Sequence, residues 1–163
     1  MMKYEIGTPE FHAFSAACNR QGKLFELALR ERYEMGVFVP VFMNSEAAKG
    51  LDSDFDHYQW AGNNYILEDV SRRYGIAPVD KAFAKPTEEG SPYWEACFWM
   101  GYTYRYWQGL TGEKSSEIYR QADYDKMLKV YPGYHTLSCE MAIDWLKEEL
   151  KLKSKLKLKK GEF

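Results

Sequence analysis

The clearest candidates for chemistry are three acidic residues spaced two apart, Asp52, Asp54 and Asp56. A calcium loop of the EF-hand kind also needs glycine at its sixth position and glutamate at its twelfth, because the chain must turn sharply and a bidentate carboxylate must close the site. Counted from Asp52, those positions are His57 and Asn63. The sequence therefore predicts no calcium site. We expect these acids to cap a helix and complement its dipole, or else to form an acidic patch that faces a partner.

Arg105 is the second candidate, because it lies in the aromatic run Tyr102-Thr-Tyr-Arg-Tyr-Trp107 on a helix predicted to be buried. A buried guanidinium needs a carboxylate and further acceptors. Two interpretations stay open. One is an internal ion pair with an acid of residues 52–56, and the other is a cation rimmed by tyrosines at a binding face. The candidate partner-binding residues are Tyr102, Tyr104, Arg105, Asp52, Asp54 and Asp56.

Known catalytic and metal-binding motifs are missing from the sequence. His12, His57 and His135 are isolated, and no HExxH, HxH or CxxC pattern occurs, so neither zinc nor redox chemistry is indicated. GxSxG, Walker and GxGxxG motifs are also missing. We predict no catalytic residue, no metal site and no cofactor, and we keep an unrecognised small enzyme as an alternative.

The elements that position these residues are predicted to be helices. Apolar residues recur at helical spacing, and caps followed by proline begin two helices at Thr8-Pro9 and Ser91-Pro92. Gly36 is predicted to end the first helix, and Pro132-Gly133 to form a turn. The body shows no convincing period-two alternation. The prediction is an all-α fold, a single-domain bundle of about five to seven helices over residues 1–153.

Charge is divided unevenly along the chain. Residues 1–146 hold 15 basic and 21 acidic side chains, whereas residues 147–163 hold seven lysines and three glutamates. An acidic body makes nucleic acid an unfavourable partner, because that binding requires positive charge, and it suits a basic protein instead. We expect the last helix to end at about residue 153. The lysine-rich tail beyond it, residues 154–163, is predicted to be mobile.

Residues 115–131 contain two short capped helices of helix-turn-helix proportions, so a transcriptional regulator is another alternative. From Glu113 to Lys129, however, the sequence has four basic and four acidic residues, so the net charge is zero. A recognition helix normally carries excess positive charge. The sequence favours a helical corner that packs its apolar residues inward.

Cysteine spacing and hydropathy indicate the compartment. Cys18, Cys97 and Cys139 are an odd number and widely spaced, which is typical of a reducing environment rather than a disulfide framework. No apolar run approaches the roughly 20 residues of a membrane span, and the first residues lack the apolar segment of a secretory signal. We expect a cytoplasmic protein without membrane association.

Three sequence blocks resemble a family of small bacterial proteins. They are MNSEAAKGLDSDFDHYQWAGNNYILE from Met43 to Glu68, WMGYTYRYW from Trp99 to Trp107, and YHTL from Tyr134 followed by Ala142-Ile143. Proteins of this family resemble antitoxin or immunity components encoded beside ADP-ribosyltransferase-like toxins. The resemblance implies a non-catalytic protein-binding module that binds and neutralises a cognate toxin. An acidic, tyrosine-rich surface suits the covering of a basic substrate-binding cleft.

Overall fold

The computed structural model describes residues 4–54, 56–83 and 87–159, and within them the chain forms an all-α bundle with no strand. The α-helices in chain order are α1 (Pro9–Arg30), α2 (Met35–Met43), α3 (Glu46–Leu51), α4 (Asn63–Tyr74), α5 (Pro92–Thr111), α6 (Ser115–Gln121), α7 (Tyr124–Tyr134) and α8 (Cys139–Lys159), with a 3₁₀ helix at His57–Trp60. The all-α prediction is confirmed. None of the described helices is long and apolar enough to cross a membrane.

The helix α5 lies at the centre of the bundle, as expected for a helix with aromatic residues on every face. Its side chains Met100, Tyr104 and Trp107 are fully buried. The Tyr104 hydroxyl donates a hydrogen bond to the Ala122 carbonyl oxygen at 2.6 Å, which satisfies a polar group that would otherwise be costly in the core. This central helix therefore determines where Arg105 lies.

The close contact between α1 and α5 depends on a glycine. A Cβ atom on Gly101 of α5 would lie 2.6 Å from the backbone carbonyl oxygen of Gln21 on α1, far inside normal van der Waals separation. At the same crossing, the Gln21 side-chain amide donates to the Gly101 carbonyl oxygen at 2.9 Å. The two helices thus approach closely enough for Gln21 to reach the neighbouring Arg105.

The first helix ends earlier than predicted. Arg32 adopts the left-handed conformation with φ 68°, and the Tyr33 N–H donates to the Ala28 carbonyl oxygen at 3.0 Å, as in a Schellman motif. The Arg32 carbonyl oxygen also accepts from the Val79 N–H at 2.8 Å. This tertiary contact lets an arginine take the position that usually favours glycine. Gly36, predicted to end α1, lies within α2.

The helix α7 continues through Pro132-Gly133, where a turn was predicted, so that prediction is wrong. Proline removes one N–H donor, but the His135 N–H still donates to the Tyr131 carbonyl oxygen at 3.0 Å. The Tyr134 ring packs edge-on against Trp145 of α8, with 5.5 Å between ring centroids. Packing against α8 therefore outweighs the local preference for a turn.

The helix α8 extends to Lys159, beyond the predicted end near residue 153. Residues 151–158 are all exposed, so this half of the helix projects from the bundle. Lysine and leucine are both good helix formers, and backbone hydrogen bonds within a helix need no tertiary partner. The rest of the predicted mobile tail, residues 160–163, lies outside the described residues.

Candidate protein-binding surface

Arg105 forms a buried ion pair with Asp52. Its Nη1 lies 2.8 Å from Asp52 Oδ1 and 3.2 Å from the Leu51 carbonyl oxygen, and its Nε donates to Gln21 Oε1 at 2.9 Å. The exposed fraction of each side chain is low, 5% for Arg105 and 10% for Asp52. The internal-pair interpretation therefore describes this arginine, which joins α1, α5 and the end of α3.

Asp52 also caps a helix that is distant in sequence. The Ser115 N–H donates to Asp52 Oδ2 at 2.8 Å, and the Ser115 hydroxyl donates to Asp52 Oδ1 at 2.7 Å. These bonds satisfy a donor at the start of α6. One carboxylate thus joins α3, α5 and α6, a role that sequence spacing could not reveal because 63 residues separate Asp52 from Ser115.

The aromatic face predicted around Arg105 requires correction. Tyr104 and Arg105 are buried, and burial raises the pKa of Tyr104 well above its usual value. Neither side chain can meet a partner on the surface of this fold, because both lie on the core side of α5. Tyr102 is half-buried and stacks on Tyr106, with 6.5 Å between ring centroids.

The acids of the 52–56 run have separate roles. Asp54 is exposed, whereas Asp56 is half-buried and caps the 3₁₀ helix by accepting from the Tyr58 N–H at 3.0 Å. Asp56 Oδ1 also lies 3.2 Å from His57 Nδ1. Of the six predicted site residues, Asp54 is the one whose side chain is exposed to solvent.

An exposed aromatic surface follows Asp54 in the sequence, on residues 56–65, which comprise the 3₁₀ helix and the start of α4. We call this segment the Trp60 knuckle. Trp60 is 76% exposed, and Tyr65 at the start of α4 is also exposed. The acids Asp54 and Glu68 border the knuckle in sequence, and both are exposed. Tryptophan and tyrosine are enriched among the residues that dominate protein interfaces, and the two aromatic side chains lie here within one short segment. The sequence analysis did not single out Trp60, because residue type alone does not indicate exposure.

Hydrogen bonds from Gln59 hold the Trp60 knuckle in place. The Gln59 side-chain amide donates to the carbonyl oxygens of Leu51 at 2.9 Å and Gly50 at 3.4 Å, and it also donates to that of Ser53. The Gln59 carbonyl oxygen in turn accepts from Arg20 Nη1 at 2.6 Å. Trp60 is therefore presented by backbone that the bundle immobilises from both sides.

A second buried carboxylate supports the other side of the knuckle. The Tyr58 hydroxyl donates to Asp69 Oδ2 at 2.6 Å, and Arg73 Nε lies 2.9 Å from Asp69 Oδ1. Burial, with the bond to Asp69, raises the pKa of Tyr58 to about 12. Burial opposes ionisation of Asp69, but the bonds from Tyr58 and Arg73 prevail and lower its pKa. This network joins the 3₁₀ helix to α4.

A small polar cavity of about 10 Å³ lies beneath the knuckle. Its lining includes Arg20, Asn63 and Arg105. Arg105 Nη2 and Asn63 Oδ1 are buried and have no hydrogen-bond partner among the described residues. A cavity of this size accommodates one water molecule, so the region is a polar support and not a pocket for an organic substrate.

Metal-ligating groups and thiols are the next features of the described residues. No group of three or more His, Cys, Asp and Glu residues that could hold a metal ion occurs among them. Burial raises the pKa of both Cys18 and Cys97 to about 12, so these thiols are protonated and poor nucleophiles at neutral pH. An open cleft of about 1170 Å³ at the α1–α2 corner is lined by charged residues that include Glu34, Lys81 and Glu88.

No family model, curated protein or solved structure matches this chain. The function must therefore be argued from the surface itself. The Trp60 knuckle combines an exposed tryptophan, neighbouring acids and a backbone fixed by buried polar groups.

The predicted helix-turn-helix segment forms two helices, α6 and α7, with Ile118 and Met127 buried. This agrees with the expected helical corner. On α7, the exposed charged side chains are Asp125 and Lys129, which together carry no net charge. The regulator alternative stays a prediction without a specific structural observation in its favour.

Proposed function

We propose that this chain is a non-catalytic protein-binding module that neutralises a cognate protein, in the manner of the antitoxin and immunity proteins its sequence resembles. The Trp60 knuckle is the proposed contact surface. The observation that carries the proposal is the 76% exposure of Trp60 on a segment that buried hydrogen bonds hold in place. A tryptophan held in this way is suited to act as an interface hot spot.

The energetic basis of the proposal is pre-organisation. Tryptophan is among the residues that contribute most to protein interfaces, because its ring buries a large area and has few rotatable bonds. Binding is weakened when a loop must become ordered first. Since Gln59 and Asp56 already hold the knuckle, that cost is small here.

The charge of the surface suits a basic partner. Asp54 and Glu68 are exposed next to the knuckle, and residues 1–146 carry six more acidic than basic side chains. Complementary charge accelerates association and excludes acidic partners. A toxin whose substrate cleft is basic, as a cleft for an anionic nucleotide would be, fits these properties.

The test is co-expression of the tagged chain with the product of each adjacent gene, followed by size exclusion and titration calorimetry of the purified pair. Trp60→Ala is expected to weaken the complex at least about tenfold, as for a hot-spot residue. Phe83→Ala is the matched control, because Phe83 is an aromatic residue of similar exposure (79%) that lies outside the Trp60 knuckle. This variant should bind the partner with unchanged affinity.

Charge reversal at Asp54 provides the second variant. Asp54→Lys should slow association with a basic partner and reduce the dependence of its rate on salt. If no adjacent gene product forms a stoichiometric complex, the proposed function is wrong. If a complex forms and the wild type and Trp60→Ala bind with equal affinity, the proposed surface is wrong.

A further inference from the structure

The exposed side of α8 carries an apolar stripe that the described chain leaves about half exposed, with Tyr134 packed on one edge of Trp145. Its members are Met141, Trp145, Leu152 and Leu156, which are between 45% and 59% exposed. At about 100° per residue, these four side chains fall within an arc of about 60° and span about 22 Å of helix. A stripe of this length on a monomer indicates an interface.

Charged residues border this stripe in a regular order. Asp144 and Glu148 lie in the half of α8 that packs on the bundle, and Lys151 and Lys155 lie in the projecting half. All four are exposed, and at about 100° per residue all four lie on the same side of the stripe. The helix therefore has an acidic half and a basic half along one edge.

The stripe and its charged edge are both complementary to a second α8 in antiparallel orientation. Pairing about the point between residues 148 and 149 places Met141 opposite Leu156 of the second copy, and Trp145 opposite its Leu152.

The same alignment brings Asp144 near Lys155 of the second copy, and Glu148 near its Lys151. In a parallel two-fold arrangement, the charged edges of the two helices would lie on opposite sides of the interface and could not pair with each other.

We infer that two copies of this chain form a dimer through antiparallel pairing of α8. The projecting half of each α8, residues 151–159, then lies over the bundle-anchored half of the other. A second copy is the occupant because the apolar pairs are symmetric about the point between residues 148 and 149, and the charged pairs are symmetric about a point one residue further along the helix. The two centres lie about 1.5 Å apart, so one antiparallel copy matches both sets. In the single chain, Lys151 lies 3.4 Å from Glu148 of its own helix, and the dimer gives both residues a further partner.

The test is the mass of the full chain in solution across a concentration series, by sedimentation or light scattering. The wild type is expected to reach twice its monomer mass of 19.1 kDa. Leu152→Asp should weaken the dimer by at least about tenfold, because it places a carboxylate in the apolar stripe.

Leu158→Asp is the matched control. Leu158 is 60% exposed, close to the 59% of Leu152, but it lies about 130° around the helix from the centre of the stripe. Its substitution should leave the dimer intact. Both leucines are exposed, so neither variant should disturb the fold of the bundle, which circular dichroism checks.

Charge variants test the pairing itself. A variant with Asp144→Lys and Glu148→Lys has only bases along the edge, and a variant with Lys151→Glu and Lys155→Glu has only acids. Each alone should be monomeric because the edges repel, and an equal mixture should form a one-to-one heterodimer.

Three results would overturn the inference. One is a wild-type chain that stays monomeric at every concentration. Another is a dimer that survives Leu152→Asp, or is lost equally in Leu158→Asp. The third is a monomer that co-sediments with vesicles of anionic phospholipid, which would assign the stripe and its lysines to a membrane surface.

Discussion

The Trp60 knuckle and α8 each expose a tryptophan, but different parts of the molecule hold the two in place. Trp60 ends a 3₁₀ helix of four residues, whose position depends on Gln59 and on the Asp52–Arg105 pair beneath it. Trp145 lies within the 21-residue helix α8, whose backbone hydrogen bonds are internal. A short 3₁₀ helix satisfies few of its own backbone groups and needs tertiary polar anchors to present a side chain, whereas a long α-helix presents one by its own geometry.

The largest expected effect comes from removing the anchor beneath the knuckle. Arg105→Ala should lower the free energy of unfolding by about 3–5 kcal/mol, because it leaves the carboxylate of Asp52 buried without its cation. Urea unfolding of the full chain measures this change. Arg72→Ala is the control, since Arg72 is exposed and Asp69 keeps Arg73, and it should cost less than about 1 kcal/mol. A similar cost for both variants would refute the anchoring role.

The next effect tests the contact that brings Gln21 to Arg105. Gly101→Ala should destabilise the protein by about 1–3 kcal/mol, because the added methyl group would force α1 and α5 apart. Gly133→Ala is the matched control. Its Cβ would meet nothing within 4 Å, and replacing a helical glycine with alanine should stabilise α7 by up to about 1 kcal/mol. Thermal unfolding distinguishes the two, and a Gly101→Ala variant as stable as wild type would contradict the close approach.

The smallest effect concerns the anchored half of α8. Burial alone would raise the pKa of Glu113. Hydrogen bonds from Lys147 of α8, Gln121 and Trp107 instead lower this pKa to about 2. A carboxylate whose pKa is lower in the folded state stabilises the fold above its unfolded pKa of about 4.3, and that contribution is lost as pH falls through the folded value.

Glu113→Gln should therefore cost about 1–2 kcal/mol at pH 7. The difference from wild type should shrink as the pH falls below about 4 towards 2. Urea unfolding at several pH values measures this. A cost that is independent of pH would show that the charge of Glu113 does not hold α8.

Local sequence signals predicted where many helices begin. The Thr8 side chain accepts from the Phe11 N–H at 3.2 Å, and the Ser91 side chain accepts from the Trp94 N–H at 3.3 Å, as the caps before proline indicated. Predicted ends were less successful, because Arg32 rather than Gly36 follows α1, and α7 continues past Pro132. Caps involve neighbouring residues, whereas these ends depend on contacts with Val79 and with α8.

The candidate site, like the helix boundaries, was predicted only in part. The sequence left two interpretations of Arg105 open, and one of them was an internal pair with an acid of residues 52–56, which Asp52 provides. It did not indicate which acid, nor that Tyr104 lies in the core while Trp60 is exposed. Exposure depends on which side of an element packs, and an all-round aromatic helix such as α5 leaves that choice open.

The amino-acid sequence by itself determined the all-α class, the positions of the capped helix starts and the uneven charge of body and tail, because each depends on residue type and short-range spacing. Only the tertiary structure decided that Asp52 joins three helices, that Gln59 holds Trp60 outward and that the stripe on α8 stays about half exposed. Each of these depends on groups distant in sequence that meet, or fail to meet, when the helices pack.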